Sequence, residues 1–448
     1  MPKPFDGINK INKYPDHKIN LNRSKTKINW TIIKYILSFL VLSFLYYGSI
    51  QLANYTKVLQ IFKLSGKYLI LFQNNSELRP SGGFIGSFAV ANLENGSIID
   101  IYYDTNIYKR DRDFISKTTI EPPAPIAKNI QDPTLAGRWA MRDSNWAIDF
   151  EEAAKQIAWF YENEGGEKVD GVISINATVF NDILNIIGPI NLEKYNVEIN
   201  SNNFLTETQY QIEKNYFENQ ENIQTNEPKT IIKYMMPEVI NRIKLKQNRY
   251  KIINLIYKEF NSKEIMAYFN DEKLEKLAGK YGWNGKVLSS SKDYLFINNA
   301  NLGSNKSSLN VSQNVTLKVE KTNNKIKNSL MISRTHNGSN NWPDGDNINY
   351  ARILVPLGST LISAEKDGYS FTNEITIGEE SGKTSFGYWN NTKVGATQTI
   401  ILNYYLPNYF SYYDILIQKQ SGSIADSFNL IINGKQGFNK KIQKDIQI

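Results

Sequence analysis

The chain contains no cysteine and only two histidines among its 448 residues. Without thiols it has no disulfide framework, zinc–thiolate site, cysteine nucleophile or thiol redox chemistry. His17 lies in a basic N-terminal tail and His336 in a loop-like ISRTHNGSNN stretch. A Ser-His-Asp arrangement or a His-rich metal site is therefore not on offer. Long hydrophobic runs are scarce too. Only residues 30–53, WTIIKYILSFLVLSFLYYGSIQLA, are apolar enough to cross a bilayer. Their uncharged core at 35–50 is short against the roughly 20 residues a spanning helix needs. Lys34 can snorkel to lengthen it, and Trp30, Tyr46 and Tyr47 stand where interfacial aromatics belong. A cleaved signal peptide would need small residues at −3 and −1. With Ala53 at −1 the −3 position is Gln51, so an uncleaved anchor is expected.

What is present gives the anchor a direction. Seven Lys and Arg residues against two Asp precede Trp30, a net charge of +5 out of +8 for the whole chain. The positive-inside rule places this tail in the cytoplasm and everything after residue 53 outside. The remaining 419 residues carry only +3, so the basic pI reflects topology, and no nucleic-acid surface is implied. The expected setting is the cell membrane, crossed once, with anionic headgroups beside the tail. Hydrophobic residues make up 41% and aromatics 12%, enough to build cores in two or three domains.

The expected fold is a layered α/β or α+β extracytoplasmic domain with a helical extension, followed by an all-β sandwich. The segments are a cytoplasmic tail (1–29), a transmembrane helix (30–53), an α/β domain (54–199), a helical extension (200–284), a sandwich (285–438) and a basic C-terminal tail (439–448). KYLILF at 67–72, SFAVANL at 87–93 and SIIDIYY at 97–103 read as strands, with Asn95-Gly96 as a hairpin turn. EPPAP at 121–125 reads as an extended loop, and RDRD at 110–113 as a charged, solvated one. Asp149 has the position of a helix N-cap with Glu152 three residues on, and that helix should end at Gly165-Gly166. VDGVISI reads as a strand, Asn176 as the cap of a helix over 177–187, and Gly188-Pro189 as its stop. Three- and four-residue apolar spacing predicts helix throughout 204–280, kinked or started at Pro237. From 286 onward, short β-rich runs separated by Gly, Asn and Ser indicate the sandwich.

Candidate chemistry gathers in FQNNSELRPSGGFIGS at 72–87 and RDSNW at 142–146. Gly82 and Gly83 can bring backbone N–H groups close to an anion, with Arg79 adding a fork of donors. Without a Lys-Ser/Thr sequel this is no P-loop. The plainer reading is a tight turn with Arg79 paired to Glu77. Arg110 and Arg142 are further anion-binding candidates, and Asp143 is a candidate Mg²⁺ ligand. Trp139 and Trp146 flank that pair and can stack on a sugar or an isoprenoid, or simply bury. Asp170, Lys306 and Arg352 read as structural.

FQNNSELRPSGGFIGSFAV, RDSNWAIDF and VDGVISINATVFNDILNIIGPI together resemble a bacterial envelope family known as domain of unknown function 4012. NLGSNKSSLNV at 301–311, ARILVPLGSTL at 351–361 and QKQSG at 418–422 continue the resemblance toward the C-terminus. The order of these elements is also similar to the LytR–CpsA–Psr proteins, which transfer glycopolymers from polyprenyl-pyrophosphate lipids to the cell wall. That similarity implies a pyrophosphate clamp with Arg142 and Asp143 as its arginine–aspartate motif and Mg²⁺ as cofactor. Gly188-Pro189-Ile190 stands where those proteins have Gly-Gly-Val, and Met141 where they have proline. Two functional expectations follow. One is a domain that binds or transfers a pyrophosphate-linked envelope glycan or cell-wall polymer, with Arg79, Arg110 and Arg142 on the diphosphate. The other is a non-enzymatic envelope scaffold or adhesion protein presenting its sandwich.

Overall fold

The computed structural model describes Thr56 and residues 63–448 apart from 130–136, 219, 226, 323 and 409–410. The tail and the anchor expected at 30–53 lie outside the described residues. Among those described, no helix is long and apolar enough to cross a membrane. Ala53–Ile448 form one compact unit.

β1 (Gly66–Arg79), β2 (Gly82–Glu94) and β3 (Ser97–Asp104) make an antiparallel meander. Asn95 and Gly96 both have positive φ, 47° and 78°, the backbone that a two-residue hairpin needs to match strand twist. Then come α1 (Ile107–Ile115), α2 (Ala124–Asn129) and α3 (Phe150–Asn163). β4 (Gly171–Asn176) pairs parallel with β1. It is followed by α4 (Thr178–Ile187), a hairpin of β5 (Ile190–Leu192) and β6 (Val197–Ile199), and the helices α5 (Phe204–Glu213), α6 (Gln220–Thr225), α7 (Thr230–Ile243) and α8 (Lys246–Asn261). β7 (Ile265–Phe269) joins β4 antiparallel and completes a mixed five-stranded sheet in the order β3-β2-β1-β4-β7, before α9 (Glu272–Lys280).

Strand alternation sends one set of side chains to each face of this sheet. Leu69, Leu71, Val172 and Met266 pack with Phe114 of α1 and Phe150 and Ile157 of α3. Tyr68, Ala267 and Phe269 pack on the other side with Val179, Phe260 and Trp283. Phe180, Leu184, Met235 and Val239 extend that second layer. The layered α/β reading holds, with corrections of detail. IMAYF at 265–269 is strand within the stretch read as helical, because all five residues are buried between the two helical layers. RDRD lies inside α1, where Asp111 and Phe114 turn inward. α2 begins within EPPAP, and Pro237 sits inside α7. Asp149 caps α3 by accepting from the Glu151 and Glu152 N–H groups, whereas Asn176 stays in β4 and caps nothing.

The C-terminal region is β-rich, as expected. Its strands are β8 (Asp293–Asn301), β9 (Val311–Lys321), β10 (Ile326–His336), β11 (Asn347–Pro356), β12 (Thr360–Lys366), β13 (Tyr369–Ser370), β14 (Thr376–Glu380), β15 (Lys383–Thr392), β16 (Thr397–Tyr405), β17 (Ile415–Gln418), β18 (Asp426–Ile432), β19 (Lys435–Ile442) and β20 (Ile446–Gln447). They form a seven-stranded sheet, β13-β12-β16-β10-β9-β18-β19, and a six-stranded sheet, β14-β15-β11-β8-β17-β20. Leu317, Leu330 and Leu402 of the first meet Ile353, Phe386 and Ile417 of the second in one core. The last residues, expected to fray, belong to β19 and β20. β8 is buried along its whole length because Leu295 and Ile297 face the sandwich core while Tyr294, Phe296 and Ala300 cluster with Ile148, Ile126 and Trp146 of the α/β domain.

Candidate ligand cavity beside the glycine-rich turn

β1 and β2 lose register where the candidate motif begins. Asn74 pairs with Phe84 but Leu78 with Gly83, so residues 75–77 bulge out of the ladder. The bulge and the turn after it dock on the sandwich. Asn75 Nδ2 donates to the Gly422 carbonyl (3.1 Å) and the Leu78 N–H to Ser308 Oγ (3.1 Å). In return, Asn298 Nδ2 donates to the Pro80 carbonyl (2.8 Å) and Gln420 Nε2 to that of Arg79 (3.1 Å). RPSGG, NLGSNKSSLNV and QKQSG, far apart in sequence, therefore meet at a single junction.

The glycines there provide room. Gly82 has φ +132°, and a Cβ on it would stand 2.2 Å from Gln73 Oε1. A Cβ on Gly83 would stand 2.2 Å from the backbone carbon of Asn74, and one on Gly86 2.6 Å from Lys229 Nζ. The Gly83 N–H is already taken by Asn176 Oδ1 at 3.2 Å. What these glycines admit is two side chains, Gln73 and Lys229.

The candidate arginines are held in a buried ionic chain. Arg79, 2% exposed, donates from Nη2 to Glu77 (2.9 Å), from Nε and Nη2 to Asp143 Oδ1 (both 3.1 Å) and from Nη1 to the Asn301 carbonyl. Lys306 reaches the other Glu77 oxygen. Burial alone would raise the Glu77 pKa, but Lys306 and Arg79 outweigh it and bring it down to about 2. At Asp143 burial wins over Arg79 and Arg142, and its pKa is raised. Arg142 donates from Nε to Asp111 and stands 4.7 Å from the centre of the Tyr108 ring. Burial raises the pKa of both Asp111 and Glu164, and the neighbouring Asp111 carboxyl raises Glu164 further. Arg110 belongs to a different contact. Its Nε meets Asp104 Oδ2 at 2.6 Å and its guanidinium lies over Phe88 and Tyr161.

Asp143 is poorly suited to Mg²⁺. Its Oδ1 accepts twice from Arg79, its Oδ2 has no partner, and the carboxylate is sealed from solvent. Among the described residues no group of three or more His, Cys, Asp or Glu side chains could hold a metal. The donor set around Asp143 does not fit a divalent cation. The tryptophans are packed. Trp146 lies between Tyr350 and the Arg352 guanidinium, and Trp139 meets Phe160 edge-on while donating to the Asp143 carbonyl. Asp170 accepts from the Lys67 N–H, His336 bonds the Gly345 carbonyl, and Arg352 pairs with Glu380.

None of Arg79, Arg110 and Arg142 lines the cavity that opens beside them. It measures about 410 Å³ and is walled by Phe72, Phe84, Phe180, Phe204, Leu205, Ile212, Ile232 and Met235, with Arg112, Glu213, Lys229 and Lys306 as its charged groups. Lys229, 6% exposed, donates to the Gly86 carbonyl and stands 5.3 Å from the Tyr108 ring centre. It makes no salt bridge among the described residues, and burial, then Lys306, lowers its pKa to about 7. Gln73, whose amide lies near Gly82 and Asn176, is 1% exposed, and neither its Nε2 nor its Oε1 has a hydrogen-bond partner. Sequence reasoning passed over both residues. Gln73 lies within the motif, but Lys229 is one lysine among many in a polar stretch.

Residues 65–212 match the model of the family described as protein of unknown function (DUF4012), in agreement with the resemblance carried by the motifs. No curated protein matches the chain. Among solved structures, a candidate nutrient binding protein of Legionella pneumophila is 7% identical, with 29% of this chain and 51% of that one covered and a TM-score of 0.22. Legionella pneumophila aminopeptidase A is 15% identical over 28% of this chain and 16% of its own, at a TM-score of 0.19. An M1 zinc metallopeptidase of Deinococcus radiodurans is 10% identical over 28% and 32%, at 0.17. The chain thus spans about half of the first and a third or less of the others, and likenesses this slight bear on neither fold nor activity.

Proposed function

We propose that this DUF4012-bearing chain is a membrane-anchored, extracytoplasmic envelope protein that binds the lipid end of a phosphorylated, carrier-linked glycan. The observation that carries this reading is the cavity, apolar and aromatic along most of its wall, with three cations, Arg112, Lys229 and Lys306, against one acid, Glu213. Pockets of a few hundred Å³ with an apolar lining and few polar groups are the usual form of small-molecule sites. At ~30 Å³ per water-sized group, 410 Å³ gives room for about 14 such groups, a stretch of isoprenoid or acyl tail rather than a whole polyprenyl chain. The apolar run at 30–53 and the basic tail before it support delivery at a membrane surface, where such lipids reside.

Binding without transfer is the simpler form of this proposal. Arg79 and Arg142 are engaged by Glu77, Asp143 and Asp111 at a domain junction, a geometry that favours a structural duty over a diphosphate clamp. The same observation supports the second reading, a non-enzymatic scaffold, should the cavity prove unable to bind lipid. Filling the cavity with Leu205→Trp in the Ala53–Ile448 unit tests the choice. Affinity for a fluorescent polyprenyl analogue should fall at least tenfold, about 1.4 kcal/mol, with an unchanged melting temperature. Equal affinity in the filled variant would overturn the lipid-binding reading.

A further inference from the structure

The α7–α8 hairpin carries a charge imbalance outside the cavity. Residues 239–258 hold six Lys and Arg and no Asp or Glu. Elsewhere on the hairpin the cations find acids. Lys233 pairs with Glu227 (3.3 Å), Arg242 with Glu238 (2.6 Å) and Lys258 with Asp182 (2.7 Å). At the tip they do not. Lys244, Lys246, Arg249 and Lys251 are all exposed, and none of the four makes a salt bridge among the described residues.

The turn that presents them, Lys244 and Leu245 between the two helices, is held from within. The Leu245 carbonyl accepts from the N–H groups of Asn248 (2.9 Å) and Arg249 (3.2 Å). Asn248 Nδ2 donates to the Arg242 carbonyl and Arg249 Nε to that of Lys244, both at 2.9 Å. Lys246, Arg249 and Tyr250, at helical spacings of three and four, share one face of α8. Leu245 and Tyr250 remain 47% and 52% exposed, whereas Ile252 and Leu255 of the same helix are buried. The charges do not serve the helix itself. Lys246 opens α8 and no acid stands in its first turn, at the end where the dipole disfavours cations.

We propose that this tip is a docking surface for an anionic lipid bilayer. Lipid phosphates supply the charge that the tip lacks, and Leu245 and Tyr250 enter the boundary between headgroups and acyl chains. A soluble polyanion would match the cations but leave both apolar side chains in water, so the bilayer is the occupant that uses the whole tip. None of these residues lines the cavity, and the inference stands apart from it. The two are nevertheless linked by α7, whose Ile232 and Met235 wall the cavity. From Met235 to Lys244 is roughly 14 Å of helix, so a docked tip holds the cavity close to the leaflet.

The test uses the Ala53–Ile448 unit, compact by itself, with vesicles of phosphatidylcholine alone or mixed in equal parts with phosphatidylglycerol. Cosedimentation should show at least tenfold tighter binding to the anionic vesicles, weakening as salt is raised. Lys244→Gln, Lys246→Gln and Lys251→Gln combined should abolish that preference at an unchanged melting temperature, since all three are exposed and unpaired. Arg249 is kept because it holds the turn. The chain has no cysteine, so Leu245→Cys can carry a single environment-sensitive fluorophore. Its emission should shift to shorter wavelength on anionic vesicles and stay unchanged with soluble polyphosphate. The same label at Tyr369→Cys, exposed on the sandwich, should not respond to either. Equal binding to neutral vesicles, an intact preference in the triple variant, an equal shift at position 369 or no vesicle binding at all would each overturn the docking surface. A shift with polyphosphate would overturn it too and assign the tip to a soluble polyanion. Affinity for the polyprenyl analogue is read separately, so the cavity can stand or fall without the tip.

Discussion

Arg79→Ala is expected to destabilise the Ala53–Ile448 unit by about 3–5 kcal/mol, the usual cost of breaking a buried ion pair from one side. Arg79 satisfies Glu77, Asp143 and the Asn301 carbonyl at once. Its loss leaves Asp143, already raised by burial, against Arg142 alone, and it cuts a direct tie between β1 and β8. Arg79→Lys should recover little, because an ammonium cannot reproduce three directions of a planar fork. The pH dependence carries a second signature. Glu77 has a folded pKa of about 2, below its ordinary 4.5. Its contribution is therefore present above about 4.5 and is lost as pH falls through 2. In Arg79→Ala only Lys306 remains to hold that shift, so acid unfolding should begin at higher pH. Urea unfolding at pH 7 and at pH 4 measures both effects. A loss below 1 kcal/mol would mean that the ion chain is solvated and dispensable.

Lys229→Met should act in the opposite direction, although it also removes a buried cation. Lys229 has no carboxylate partner, and its folded pKa of about 7 lies below the ordinary 10.5. Between those values the unfolded chain binds more protons than the folded one, so stability rises with pH across that window. Below about 7 the full burden of the buried charge is present. The methionine variant escapes it and should exceed the wild type by a few kcal/mol at pH 6, given ~1.4 kcal/mol per pKa unit. The gap should narrow steadily above pH 7. Asp293 and Asp426, raised by burial to about 6, push the other way as pH rises. They are common to both proteins and cancel in the difference. Urea midpoints of the two proteins from pH 6 to 10 measure the gap, and a pH-independent gap would show that Lys229 is not the titrating group.

These two cations mark how far the sequence could be read. The meander, the Asn95-Gly96 turn, the Asp149 cap and the β-rich C-terminal half were legible because each depends on local chemistry, namely strand alternation, positive φ and a carboxylate before a helix. β7 was not legible, since a five-residue apolar run buried on both faces carries no period that separates strand from helix. Arg79 and Arg142 could be recognised as unusual, yet their roles depend on residues 31 to 222 positions away. Asp143 engages Arg79, Asp111 engages Arg142, and Asn301 lies across the domain junction. Lys229 shows the limit most plainly. In sequence it is a lysine beside Pro228 in a polar stretch, and nothing local separates it from Lys233 or Lys244. Its burial and its lowered pKa arise because the start of α7 places it where its ammonium reaches the Gly86 carbonyl of β2, at a position with no side chain. The sequence by itself determined the strands of the meander, its Asn95-Gly96 turn, the capped helix after Asp149 and the β-rich C-terminal region. Only the tertiary structure decided which charges are compensated, because desolvation and pairing depend on what the fold brings alongside.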